Sequence, residues 1–413
     1  MADNDNNDSV SSSSDSSSDA SSDSTSETSS EGWLSRLGGA IKGIFIGLIM
    51  VIAAFPLLFW NEGRAVKTAK SLDEGRGAVV ETKSETVDAA KEGKLVHTSG
   101  RAKTSETLTD PVFNVKANAI TLRRKVEMYQ WKESTKKETK NKLGGGTETV
   151  TTYTYAKEWS ESLLDSSKFK NQQGHQNPGS LPFKSEKWTA AKVTLGAYTL
   201  TPAQASQISG DDPVKASAPA AGVDGKRVTE HDGGLYVGSN ASQPEVGDMR
   251  IKFTQAGESD ISVVAKQTGS TFEPYRAKAG STVDMLKTGI VGPDQMFTAA
   301  EQSNTAMTWV LRAVGFILMG MGFGMMLKPL SVLASVVPLF GDIIGAGTGI
   351  IAFLIAGMLS LITIAIAWIF YRPLLAIGLL VAVGAMLYGA YHLISKFRAK
   401  RVSGAAGAVP KPA

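Results

Sequence analysis

The sequence predicts an α+β membrane protein with four transmembrane helices, one N-terminal and three C-terminal. A large, mostly β extracytoplasmic or lumenal domain lies between the first and the second. Three observations lead there. Residues 343–371 carry no charge and are fenced by Asp342 and Arg372; a helix of that length exceeds the roughly 30 Å apolar core of a bilayer. Residues 43–60 form another long apolar run near the opposite end of the chain. Between these runs, residues 64–301 are polar and broken into short stretches rich in Thr, Val, Tyr and Trp, the composition of strands.

Taken in order, residues 1–32 are mostly Ser, Asp, Asn and Glu, with no Lys or Arg. Such a segment buries too little apolar surface to offset its ordering entropy, so it reads as a disordered tail. Several of its serines stand beside acidic residues, a phosphorylation pattern, but a solvating tail explains the composition without it. Residues 33–60 are the first transmembrane helix and its junction, with Arg36 and Lys42 before the apolar run and a kink at Pro56. A cleaved signal peptide does not fit, because the preceding region is acidic and Asn61-Glu62-Gly63-Arg64 follows in place of a small-residue cleavage site.

Residues 61–305 form the β-rich domain. Strand-like runs fall at 77–83, 95–102, 119–134, 147–159, 188–199, 248–255 and 261–267, and weaker helical signals at 66–74, 201–208 and 295–308. The best-defined pair is a hairpin in which 126–131 faces 149–155 across a lysine-rich loop containing Gly144-Gly145-Gly146. Residues 306–328 return to the bilayer, with Arg312 one turn inside and close enough to the surface to snorkel, and Trp309 at belt depth. Lys328-Pro329 should end that helix. Residues 329–342 are apolar but too short to span, which reads as an interfacial cytoplasmic segment. Residues 343–371 are the third helix, 372–395 the fourth after the turn at Pro373, and 396–413 a basic and then flexible cytoplasmic tail.

The cluster Lys396, Arg398, Lys400 and Arg401 sets the orientation, since Lys and Arg beside a span are retained in the cytoplasm. Four spans then place the N-terminus there too, in agreement with Arg36 and Lys42. The domain lies on the far side. That is the periplasm if the protein sits in a bacterial inner membrane, the first reading, or a lumen if it sits in the endoplasmic reticulum or inner nuclear membrane.

Net charge is only +4, and no basic run is interleaved with aromatics, which argues against nucleic acid as a partner. The chain has no cysteine and so no disulfide or thiolate metal site. His97, His175, His231 and His392 lack metal-ligand spacing. His175 sits in a turn sequence and reads as a hydrogen-bonded turn histidine. His231-Asp232 is half of a catalytic pair without a strained serine elbow, and the triple glycine lacks the Lys-Ser/Thr of a phosphate loop. Glu62 and Asp73-Glu74 read as exposed charges beside a membrane helix. Asn240-Ala241-Ser242 matches a glycosylation sequon. No catalytic constellation emerges, and no cofactor is expected. The membrane helices instead carry small residues at period four, Gly320 with Gly324 and Ala352 with Ala356 and Ser360, which suits close helix packing within one chain or between copies.

Ordered motifs spread over residues 43–393 resemble those of the LUMA (transmembrane protein 43) family. They begin at Asn61-Glu62-Gly63-Arg64-Ala65 and run through Lys67-Thr68-Ala69, Ser71-Leu72, Leu95-Val96-His97 and Asp110-Pro111. The most specific are Leu122-Arg123-Arg124 and Val126-Glu127-Met128-Tyr129-Gln130-Trp131. His175, Asn177-Pro178, Pro244-Glu245-Val246-Gly247-Asp248 and Trp368 with Phe370-Tyr371-Arg372-Pro373-Leu374 complete the set. The resemblance implies four spans, a large lumenal domain and self-association in an endomembrane. In animals it implies residence in the endoplasmic reticulum and inner nuclear membrane, with emerin and lamins as partners in organising the nuclear envelope. Those partners exist only in nucleated cells, and both termini of this chain depart from the family pattern.

The function expected is a non-enzymatic membrane scaffold that contacts lipid, forms homo-oligomers and organises other membrane or envelope proteins. Two alternatives remain: a subunit of an enzyme acting on lipids or envelope polymers through the β-rich domain, and a channel or transporter component.

Overall fold

A computed structural model describes residues 23–219 and 226–373, together with 377, 378, 381 and 388. The chain divides into a β unit (Met1–Trp33, Lys70–Glu301 and Val336–Pro338) and a helical unit (Leu34–Ala69, Gln302–Ser335 and Leu339–Ala413). Its helices, in chain order, are α1 (Trp33–Ala78), α2 (Pro202–Ala205), α3 (Pro293–Ala334) and α4 (Pro338–Tyr371).

The β unit holds an eight-stranded and a seven-stranded sheet. In the first, Asp23–Glu31, Thr147–Ser160, Thr121–Asn141, Met249–Ala256, Gly234–Val237 and Val228–His231 lie side by side in that order. Alternation drives the central strand: Leu122, Arg124, Val126, Met128 and Gln130 are buried, and the residues between them are not. Leu122, Val126 and Met128 share a core with Met249, Ile251 and Phe253. In the second sheet, Ser259–Thr268 pairs with Leu95–Lys103, and Val96, Leu195, Tyr198, Ile261, Val263 and Phe272 fill its core. The ends of α1 and α3 that belong to this unit close a third core, with Leu72, Met296 and Phe297 against Leu95 and Val264.

One charge pair is sunk into the β unit. Arg124 Nη1 lies 2.5 Å from Asp110 Oδ2, with side-chain exposures of 4% and 0%. Its Nη2 reaches Glu186 at 3.1 Å and its Nε donates to the Lys184 carbonyl at 2.9 Å. The other Asp110 oxygen accepts the amides of Val112 and Phe113. Phe113 and Trp188 stack on the guanidinium at 5.6 and 5.2 Å.

The hairpin forms in a different register from the one expected. Met128 pairs with Ser160, Trp131 with Lys157 and Asn141 with Thr147, so residues 149–155 face 133–139 rather than 126–131. The lysine-rich stretch read as a loop is strand up to Asn141. Both of its faces are solvated, so no apolar alternation marks it, and backbone pairing supported by Lys132–Glu158 and Lys136–Glu138 holds it extended.

The acidic tail also differs. Asp23–Glu31, expected to be disordered, forms a strand antiparallel to Thr147–Tyr155 over nine paired residues. It buries no side chain, but Glu27 meets Lys170 at 2.6 Å and Asp23 meets His175 at 3.1 Å. Composition therefore misjudged this part because the partner strand supplies the backbone bonds that apolar burial does not. Ser26 and Thr152 are directly opposed, their hydroxyl oxygens 3.3 Å apart. A Ser26→Cys/Thr152→Cys pair, the only cysteines in the chain, should form an intramolecular disulfide under mild oxidation in sealed membranes. Absence of the crosslink, with both thiols reactive after solubilisation, would mean that this strand does not pair in the membrane-bound protein.

In the helical unit, α1, α3 and residues Ile344–Tyr371 of α4 are each long and apolar enough to cross a membrane. The expected fourth span, 372–395, and the tail at 396–413 lie almost wholly outside the described residues. The separate interfacial segment at 329–342 does not appear: α3 continues through Lys328 and Pro329 to Ala334, and α4 starts at Pro338. A proline costs a helix one backbone bond, and an apolar sequence beyond it, in a helix of this kind, lets the helix continue. Pro56 is likewise inside α1.

The helices meet through small residues. A Cβ on Gly47 would fall 2.4 Å from the Gly322 carbonyl oxygen, and one on Gly322 2.7 Å from that of Gly47, so α1 and α3 cross backbone to backbone. Ala352, Ala356 and Ser360 are buried inside the unit; Ala356 packs with Val51, Leu58 and Met319, and Ser360 Oγ lies 3.7 Å from Met319 Sδ. Gly320 lies against Phe353, whereas a Cβ on Gly324 would meet nothing within 4 Å.

Candidate functional site

The most elaborate constellation in the helical unit is a polar junction joining α1, α3 and α4. It begins where the apolar run of α1 ends, at Asn61-Glu62-Gly63-Arg64. On α3, Asn304, Thr308 and Arg312 recur every four residues and therefore share one face. Trp368 and Tyr371 come from the last turn of α4.

Glu62, expected to be exposed, is 1% exposed. Arg312 grips it with two donors, Nε to Oε1 at 2.7 Å and Nη2 to Oε2 at 2.9 Å, and Trp368 Nε1 donates to Oε2 at 2.7 Å. Trp309 and Trp368 flank the guanidinium at 4.8 and 5.7 Å. Arg312 is thus not a snorkelling surface charge: its carbon and nitrogen surfaces are both used by the bundle.

One turn away, Arg64 donates to Asn304 Oδ1 at 3.0 Å and to Thr308 Oγ1 at 3.1 Å. Asn61 donates to the Thr308 carbonyl at 3.1 Å, and Asn304 to the Ala65 carbonyl at 3.0 Å. Arg64 Nε is buried without a hydrogen-bond partner. Gly63 makes room for Tyr371, whose Cζ would sit 2.7 Å from a Cβ there. Arg372 ends the helix with its amide on the Trp368 carbonyl, and Pro373 follows. Chemically the junction is a bidentate ion pair with its donors and acceptors largely matched, an arrangement that fixes helix register.

The remaining motif residues gather in the β unit. Asn177 replaces a strand neighbour for Trp131: its Oδ1 accepts the Trp131 amide at 2.7 Å and its Nδ2 donates to the Trp131 carbonyl at 2.8 Å. His175 is buried, stacked on Tyr155 at 4.0 Å and edge-on to Trp131 at 4.7 Å. Burial pushes the Tyr155 phenol up to about 12, while its hydroxyl donates to Glu133 and accepts the Asn171 amide. Tyr129 packs on Trp159 at 5.1 Å. Burial pushes the Glu127 carboxyl up, but hydrogen bonds from Arg250 and Lys125 outweigh it and hold the group below the ordinary range. Gly247 donates its amide to the Tyr129 carbonyl and lies against Pro178, and Asp248 accepts from Tyr236 and from the Glu245 amide. Arg123 is exposed beside buried Arg124.

A polar pocket of about 180 Å³ lies between Trp159, His231, Asp232, Tyr236, Arg250 and Lys252. Its charges are spent on each other: Lys252 holds Asp232 at 2.6 Å and keeps that carboxyl below its usual range, and Arg250 is bound to Glu127. Among the described residues no group of three or more His, Asp or Glu side chains is placed to hold a metal ion.

The sequence singled out Glu62 and Arg64 as motif residues but missed Asn304, Thr308 and Trp368 as their partners. The period-four spacing of Asn304, Thr308 and Arg312 was the available signal, one polar face on a helix entering an apolar run.

A family model described as Transmembrane protein 43 matches residues 128–373. The chain is 36% identical to Transmembrane protein 43 of Rattus norvegicus over 357 residues, which cover 84% of this chain and 88% of the relative. It is 36% identical over 358 residues to the Homo sapiens protein, again at 84% and 88% coverage. The Transmembrane protein 43 homolog of Drosophila melanogaster is 33% identical over 351 residues, at 83% and 92%. No solved structure matches.

Proposed function

We propose that this chain, which belongs to the transmembrane protein 43 family, is a non-enzymatic, self-associating membrane scaffold. A helical anchor, with residues 372–395 as its fourth span, presents the β-rich domain on the extracytoplasmic side. That side is the lumen of an endomembrane in a eukaryotic cell and the periplasm in a bacterium. Lipid, further copies of the chain and other membrane proteins are its partners; emerin and lamins enter only where there is a nucleus.

The observation that carries this reading is the closure of the polar junction on itself. Both Glu62 oxygens are taken by donors from the other two helices, so its charge ties α1, α3 and α4 together rather than standing open to a substrate or ion. The paired charges of the pocket beside Trp159 support a structural use of the domain in the same way. Self-association needs a surface other than the Ala352, Ala356 and Ser360 row, because that row is covered within the chain. The exposed apolar residues of α4, among them Ile351, Leu354, Met358 and Leu361, are available to lipid or to a second copy.

Native mass spectrometry of the full chain released from nanodiscs tests the proposal. Dimers or larger assemblies should persist as the protein-to-lipid ratio falls. Monomers at every ratio would remove self-association from the function.

A further inference from the structure

We propose that Asn240 is an acceptor for an N-linked glycan. Asn240-Ala241-Ser242 lies in the loop between Gly234–Val237 and Met249–Ala256, and both Asn240 and Ser242 are exposed. The loop is pinned rather than loose. The Asn240 carbonyl accepts the Tyr236 hydroxyl at 3.2 Å and the Gln243 amide at 3.1 Å. Its side-chain Oδ1 accepts the Ser242 amide at 3.0 Å. That contact occupies the oxygen and leaves Nδ2 as the free end of the side chain, without a hydrogen bond among the described residues. The Ser242 hydroxyl is also open to an enzyme that must read it.

The chemistry asks for these features. An oligosaccharyltransferase presents a sugar joined to a lipid pyrophosphate. Asn240 Nδ2 attacks the anomeric carbon, a C–N bond forms, and the C–O bond to the pyrophosphate breaks. The lipid pyrophosphate leaves, and the proton lost from Nδ2 passes to a base of the transferase. An acceptor buried in a sheet cannot enter that active site without local unfolding; Asn240 is already presented.

The inference rests on the lumenal placement of the domain in a eukaryotic cell. The full chain is expressed in mammalian cells with Asn7→Gln, which removes the acceptor pattern Asn7-Asp8-Ser9. Peptide-N-glycosidase F should then produce one increase in mobility. Asn240→Gln and Ser242→Ala should abolish it, and Ser242→Thr should keep it. Gln173→Ser, added to Asn240→Gln, completes an acceptor pattern at half-buried Asn171 and reports the compartment separately. Glycan on Asn171 but not on Asn240 would overturn the assignment while leaving the domain lumenal. No glycan at either position would overturn the assignment together with the lumenal placement, and neither outcome touches self-association.

Discussion

Arg312→Ala should destabilise the helical unit by about 3–5 kcal/mol, because it leaves Glu62 buried without its paired cation, with Trp368 as its remaining partner among the described residues. Glu62→Ala should cost a similar amount by stranding the guanidinium. Removing both charges is a different experiment. In Glu62→Leu/Arg312→Leu no uncompensated charge remains, and the loss should be well below the sum of the two single variants. Trp309 and Trp368 flank Arg312, so once the other five of the chain's seven tryptophans are replaced by phenylalanine, fluorescence in mixed-micelle unfolding reads the junction. If the two single losses simply added in the double variant, the ion pair would have no special role in the bundle.

Arg124→Ala is the corresponding prediction for the β unit and should cost about 3–5 kcal/mol. Asp110 would keep its two backbone amides but lose the cation paired with it. Phe113 and Trp188 would also lose the surface they share across the guanidinium. Glu186→Gln should cost less than about 1 kcal/mol, since that partner is half exposed and screened by water. Thermal unfolding of the intact protein, followed by resistance to trypsin, separates the two. Equal losses from Arg124→Ala and Glu186→Gln would mean that the buried partner does not dominate.

The parts of this fold that the sequence revealed are those whose cause is local. An apolar run long enough to cross a bilayer announces α1, α3 and α4 without reference to any partner. The alternation from Leu122 to Gln130 does the same for the central strand, because one of its faces is buried along that whole length. The unread parts depend on distant residues. Glu62 and Arg312 are 250 positions apart, and each alone looks like a charge at a membrane surface. The hairpin beyond Trp131 has no dry face, so its register is fixed by pairing and by nothing in its own pattern. Gly322 and Gly324 are equivalent on paper; only the position of Gly47 decides which one faces the crossing. Asp23–Glu31 has the composition of disorder and is ordered by what lies beside it.

The tail strand also covers an edge of its sheet. The strand Thr147–Ser160 is long, rich in Thr and Tyr, and would otherwise end the sheet with a row of unpaired amides and carbonyls, a template on which any extended chain can grow. Covering it with an ordinary apolar strand would only move the template outward by one position. Asp23–Glu31 instead presents Asp23, Glu27 and Glu31 and no basic residue. Its side chains are all polar, and Asp23 and Glu27 are taken up by His175 and Lys170 of the same chain. The sheet is thereby terminated by a strand of Asp, Ser, Thr and Glu, with no apolar side chain to recruit the next.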